Sequence, residues 1–275
     1  MLKHALGPRM LSGRICFALL LAGLAWSCCA PADAVETELP TRFVMGANTE
    51  ATSLHGSWNR KIFAEAFRRL GIALEIRVAP LKRLELLMSK GEIDGEMSRA
   101  PAYGLQHPEL LKVDVAFAQV VFSLYALKSI PGVSKLEDLR NTNYQGIYRR
   151  GVLLCEKELS SSMPARQLTA TNSALQGVAM LKLGHGDFFC DVSSSLENEQ
   201  YSQDFAKFIE LKKLFDISSP VPLNAYLAQK HQTLLPHLSA TLKQMEKEGL
   251  IAKYRHEAET QMRQLYSLPA AEQKK

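Results

Sequence analysis

Residues 80–117, PLKRLELLMSKGEIDGEMSRAPAYGLQHPELLKVDVAF, place two different hydrophobic periods back to back. Leu84, Leu87 and Met88 fall at helical spacing, and Gly91 stands where a left-handed C-cap stops such a helix. Ile93, Gly95 and Met97 then alternate with Asp94, Glu96 and Ser98, the two-residue period of a short strand. Helix, glycine, strand is half of an α/β crossover unit, and repeated units of this kind require a mostly parallel sheet. The strand ends in Glu96 and Arg99, and ligands of open α/β sheets collect at the carboxyl ends of strands. A solvated ion pair on an ordinary strand end would use the same two residues.

The alternation continues on both sides. Residues 42–46 read as a first strand with Phe43 and Met45 on one face. A polar stretch, 48–57, follows. Trp58, Ile62, Phe63, Ala66, Phe67 and Leu70 then repeat as a helix closed by Gly71, and Ile72, Leu74 and Ile76 alternate as a second strand. Downstream, 115–126 is strongly apolar, 144–148 reads as a strand, and Arg149-Arg150-Gly151 leads into a helix carrying Val152, Leu153 and Leu159. Asn172 is placed to cap a helix with Leu175, Val178 and Leu181 facing inward, ended by Gly184. Strands are expected at 186–191 and 211–217. Leu235, Leu238, Leu242 and Met245 line a closing helix stopped by Gly249.

The 275 residues suffice for one large or two modest domains, and 47% hydrophobic with 22% charged residues describes a globular chain. Lys3, Arg9 and Arg14 precede an apolar run at 15–26, too short for a bilayer span and suited to a signal-peptide core. Ala32-Asp33-Ala34 supplies small residues at a signal-peptidase site, so the mature chain is expected to begin at Val35 in the periplasm. An uncleaved anchor, a lipoprotein at Cys28 or Cys29, and a start at Met10 are the alternatives. Removing residues 1–34 takes the formal net charge from +5 to +3 by deleting three cations and Asp33. The remainder carries no Lys/Arg run, which gives no ground for a nucleic-acid partner. Cys155 and Cys190 remain, open to one disulfide or to two buried thiols.

A helix ending in SKGEIDGEMSR, followed by HPELLKVDVAF, resembles the first lobe of type II periplasmic solute-binding proteins, the extracellular solute-binding family 3 group. The resemblance covers roughly residues 40–265, and the order of its motifs is its specific part. Residues 186–191, GDFFCD, resemble the family's G-x-x-D-A strand, and LLPHLSATLKQMEKEGLIAKY its last helix. The resemblance implies an α/β fold of two lobes, each a mostly parallel sheet flanked by helices, with two hinge crossings near 125 and 222. Lobe 1 would comprise 38–126 and 220–268, lobe 2 residues 127–219, and 269–275 a polar tail. It also implies a monomer that captures a small polar, anionic or zwitterionic solute without a cofactor. An ABC transporter permease or a membrane sensor would be its partner.

Candidate ligand-binding residues in the first lobe are Trp58, Arg83, Glu96, Arg99 and Tyr103. Trp58 could stack on a ligand or start the core stripe of its helix. Arg83 sits at a helix start, unfavourable to a cation unless an anion or Glu96 compensates. Arg99 suits a carboxylate or phosphate through paired hydrogen bonds. From the second lobe come Tyr148, Arg149 and Arg150, beside a helix start where Gly151 allows close approach of an anion. Asp191 resembles the aspartate that holds a ligand ammonium in amino-acid-binding members, although a one-residue slip on a strand reverses a side chain's face. Those members also carry an arginine in a T-x-T-x-x-R segment. Here 101–109 has Gln106 and His107 instead, which weakens the implication of an α-amino-acid ligand.

No G-x-S-x-G, H-E-x-x-H, P-loop or G-x-G-x-x-G pattern is present. His185, Asp187, Cys190 and Asp191 cluster in sequence but straddle strand faces, which argues against a shared metal. The reading is an exported solute-binding protein. The alternatives are an enzyme on the same fold, cyclohexadienyl-dehydratase-like with Glu96 as its acid or base, and a sensory ligand-binding module.

Overall fold

The structure is a computed structural model that describes residues 38–194, 196 and 211–267. The expected leader (1–34) and polar tail (269–275) lie outside the described residues.

In the first sheet, strands β1 (Arg42–Ala47), β2 (Ala73–Val78) and β3 (Gly95–Arg99) pair in parallel, in the order β2-β1-β3. The long strand β11 (Val221–Leu227) runs antiparallel to β3 and also pairs the short strands β4 (Leu111–Lys112) and β5 (Ala118–Val120). Alternation along β1 explains why helices cover both faces. Phe43 and Met45 pack with Ile62, Phe63 and Phe67 of α1 (Leu54–Arg69), whereas Val44 packs with Leu84, Leu87 and Met88 of α2 (Leu81–Ser89).

Helix α1 begins four residues before Trp58, because Ser53 caps it: its Oγ accepts from Gly56 N at 3.1 Å. A short helix α3 (Pro101–Gln106), absent from the sequence reading, follows β3. The second sheet has the order β10-β6-β9-β7-β8, built from β6 (Phe122–Ala126), β7 (Gly146–Arg149), β8 (Leu168–Thr171), β9 (Phe188–Val192) and β10 (Lys212–Asp216). β7 is parallel to β8 and β9, while β6 is antiparallel to β9 and β10. Both sheets are therefore mixed rather than mostly parallel.

Because β5 belongs to the first sheet and β6 to the second, the chain crosses at Val121, earlier than 125. It returns between Asp216 and Val221. In the second sheet Phe188 and Cys190 face α4 (Leu153–Ser162), and Phe189 faces α5 (Ala174–Lys182) with Ile147. The cap of α5 is Ser173, whose Oγ accepts from Gln176 N, and not Asn172. That shift turns Leu175 outward (41% exposed) and seats Gly177 against the Phe189 ring, where a Cβ would come within 2.4 Å. Cys155 of α4 and Cys190 of β9 form a disulfide.

Helix α6 (Leu234–Lys247) buries Leu238, Leu242 and Met245 as the spacing predicts, but its first buried residue is Leu234, with Leu235 only half-buried. Gly249, at φ 73°, joins it to a second helix, α7 (Leu250–Ser267), instead of closing the fold. α7 packs on α1, where Trp58 Nε1 donates to Ile251 O and Ser57 Oγ donates to Gln261 Oε1.

Candidate functional site

The first sheet's β1 and β3 and the second sheet's β7 and β9 all end at one cleft. Asn48 and Thr49 follow β1, Ser98 and Arg99 end β3, Arg149 ends β7 and Val192 ends β9. Together with the start of α4 they enclose about 710 Å³, counting the open mouth. Carboxyl ends of strands are where small-molecule sites form in such folds.

Arg99 is 4% exposed yet lines the cleft. Its Nε donates to Glu96 Oε2 at 2.6 Å and its Nη2 to Leu81 O at 2.9 Å, and its guanidinium lies 4.2 Å above the Tyr103 ring. Tyr103 Oη donates to the other Glu96 oxygen at 2.6 Å, so both acceptors of that carboxylate are engaged. Burial first, and the charge of Glu96 second, push the Tyr103 phenol well above its ordinary value, so it remains a donor. A guanidinium has five N–H donors, and two of those of Arg99 are used here. Glu85 Oε1 lies 3.9 Å from Arg99 Nη2, and its other oxygen takes Lys82 Nζ at 2.9 Å.

Across the cleft, Arg149 is paired with Asp191. Asp191 Oδ1 accepts from Arg149 Nη2 at 2.8 Å, Arg149 Nε at 3.2 Å and Val192 N at 2.6 Å. Burial raises the Asp191 carboxyl, and the Arg149 charge opposes that rise. Gly151, Val152, Leu153 and Leu154 bring the first turn of α4 to the same wall. Val152 gives no side-chain cap and Glu156 Oε1 already takes Gly151 N at 2.6 Å, which leaves the N–H groups of the first turn itself to meet an acceptor.

Of the nine residues expected from the sequence, Arg99, Tyr103 and Arg149 line the cleft. Glu96 stands behind Arg99. Asp191 does not line it: strand alternation turns Asp191 to the face of Phe189, and the neighbouring Val192 faces the cleft instead. Trp58 is a core residue, 5% exposed, with its N–H spent on α7. Tyr148 packs into the second sheet's core, and Arg83 and Arg150 are exposed away from the lining.

Sequence reasoning missed His55 and Asn59 of α1 and Ser194 after β9. Asn59 carried a usable signal. It falls on the buried stripe of α1, three and four residues before Ile62 and Phe63, where a polar side chain needs a reason. It is 5% exposed, lines the cleft and has Oδ1 without a hydrogen-bond partner. His55 is neutral near pH 7, its pKa lowered to about 4 by burial and then by the Arg255 charge. Among the described residues no group of three His, Cys, Asp or Glu could hold a metal ion.

No protein-family model matches the chain. An uncharacterized protein from Shewanella oneidensis is 28% identical over 210 residues, covering 75% of this chain and 77% of that one. Among solved structures, a mutant of ArgBP from T. maritima superposes with a TM-score of 0.65 at 15% identity, covering 80% of this chain and 96% of that one. A histidine kinase sensor domain with similarity to periplasmic binding proteins gives 0.65 at 16%, covering 79% and 96%. The amino acid ABC transporter substrate-binding protein AbpA from Streptococcus pneumoniae, bound to L-arginine, gives 0.64 at 12%, covering 79% and 94%. The chain has the two-lobe α/β fold of periplasmic binding proteins.

Proposed function

We propose that the protein is an exported member of the family 3 solute-binding group, which takes a small polar solute into the cleft between its two sheets. The observation that carries this reading is Arg99, a buried guanidinium at the end of β3 with three N–H donors uncommitted on a cleft wall. A guanidinium held in place by Glu96 and Leu81 O, with N–H donors to spare, is placed to meet a ligand acceptor. Arg149 and the first turn of α4 supply cationic and N–H groups from the opposite wall, so a ligand that reaches both sides favours closure. Cleavage after Ala34, a monomer of lobes divided at the two crossings, and delivery to a transporter permease complete the proposal.

The enzyme alternative needs an acid or base in contact with the ligand. Glu96 has both oxygens engaged and does not line the cleft, which argues against that role. The sensory alternative retains support from the sensor domain of the same fold. A solute-library thermal shift tests binding, since a ligand at about 100 times Kd stabilises by about 2.7 kcal/mol. Arg99→Ala should then weaken binding by about 10- to 100-fold, the worth of a charged hydrogen bond, with the fold retained. Unchanged affinity in the variant, or a library with no hit and no co-purified molecule by native mass spectrometry, would overturn the proposal.

A further inference from the structure

If the cleft binds a solute, its lining also restricts the solute's chemistry. We infer that the ligand is a hydroxyl-bearing carboxylate with an apolar body and no ammonium group, held between Arg99 and the start of α4 with its hydroxyl on Asn59. This rests on the solute-binding reading.

Three observations lead there. First, among the described residues two arginines and no Asp or Glu line the cleft. Glu96, Glu85 and Asp191 all stand behind it, tied to Arg99 or Tyr103, Lys82 and Arg149 respectively. An ammonium brought into this space would meet two guanidinium groups and no counter-charge on the lining, whereas a carboxylate would meet donors from both walls. Second, Val192 occupies the cleft-facing position at the end of β9 that an acidic residue would need in order to reach a ligand cation. Val120, Phe122, Leu154 and Leu223 extend the apolar wall around it. Third, the Asn59 amide is buried on the lining, and its Oδ1 has no partner. A hydroxyl both donates and accepts, so it satisfies this amide in either orientation; an ammonium could satisfy only the oxygen and would bring its uncompensated charge.

The test is isothermal titration of the purified protein with matched sets that differ only at C2. One set is 3-phenyllactate, 3-phenylpropionate and L-phenylalanine; the other is 2-hydroxy-4-methylpentanoate, 4-methylpentanoate and L-leucine. In the skeleton that fits, the hydroxy acid should bind best and the amino acid at least about tenfold more weakly, the cost of an ammonium without a counter-charge. The amide of the hydroxy acid should also bind more weakly than the acid. Asn59→Ala should erase the advantage of the hydroxy acid over the acid lacking the hydroxyl.

An amino acid that binds as tightly as its hydroxy analogue would overturn this inference and leave the solute-binding reading standing. An amide as tight as its acid would overturn the carboxylate assignment, and a hydroxyl advantage that survives in Asn59→Ala would overturn the role of Asn59. If neither set binds while a library solute does, the inference falls alone. If neither set nor any library solute binds, both fall.

Discussion

Each half of the molecule brings one arginine to the cleft on a buried carboxylate, yet the two pairs are built differently. Arg99 and Glu96 are three residues apart on β3, and Glu96 shares its two oxygens between Arg99 and Tyr103. Arg149 and Asp191 are 42 residues apart on neighbouring strands β7 and β9, with three donors crowded onto Oδ1 and Oδ2 left without a partner. The first pair is local and its carboxylate has both oxygens engaged, while its guanidinium keeps donors to spare on the cleft wall. The second is a cross-strand tie in which an acid with no exposed surface depends on its arginine. The same chemical pair is therefore a local support for a cleft-lining guanidinium in one half and a tie between two strands in the other.

Asp191→Ala probes that difference most strongly. It removes the carboxylate oxygen that accepts from both Nε and Nη2 of buried Arg149, and breaking a buried pair from one side costs roughly 3–5 kcal/mol. Urea denaturation should show that loss in the unfolding midpoint; a loss below about 1 kcal/mol, the range of surface pairs, would remove the structural role. Tyr103→Phe comes next. It leaves Glu96 Oε1 buried and unpaired, worth about 1.5–3 kcal/mol for a hydrogen bond to a charged group. It should also loosen Arg99, so ligand affinity should fall along with stability. Affinity unchanged at reduced stability would show that Arg99 is positioned without Tyr103.

Gly151→Ala is smaller and acts where the halves meet. Gly151 has φ 87°, and an added Cβ would sit 2.7 Å from Leu81 Cβ at the head of α2. A left-handed conformation costs an L-residue about 1–2 kcal/mol, and the contact should hold the halves apart. The expected result is a greater loss in ligand affinity than in unfolding free energy. Equal losses would place the strain within the second half alone.

Much of this scaffold was legible because hydrophobic period and glycine position agree in both halves. Met88–Gly91–Asp94 and Leu181–Gly184–Asp187 repeat one device: a left-handed glycine ends a helix, and the aspartate accepts from the backbone of a neighbouring strand or the residue leading into it. Asp94 Oδ2 accepts from Val44 N at 2.9 Å, and Asp187 Oδ2 from Gln145 N at 2.7 Å. The site was harder to read. Period gives the spacing of strand residues but not the register that decides which one faces the cleft, so Asp191 was expected where Val192 stands. Trp58 was legible only as a choice between core and ligand, settled by α7, a helix that the glycine before it concealed. Asn59 was hidden because a single polar residue does not interrupt the helical period of the apolar stripe around it.

The halves also differ in the sign of their response to acid. In the first half, His55 is lowered to about 4 from an ordinary 6.5, by burial and then by the charge of Arg255. Between those values the unfolded chain binds a proton that the folded chain does not, so stability should rise with pH through this window and decline on acidification. In the second half, burial raises Asp191, with Arg149 opposing, so the folded chain retains a proton that the unfolded chain has released above 3.8. Its contribution is present below 3.8 and is lost as pH rises through the folded value. Urea midpoints measured from pH 4 to 7 should therefore respond oppositely to the two substitutions. His55→Gln should flatten the acid-side decline, and Asp191→Asn should steepen it by removing the opposing term. Profiles shifted in parallel, with no change of slope, would mean that neither group titrates differently on folding, and the two halves would then differ in hydrogen bonding alone.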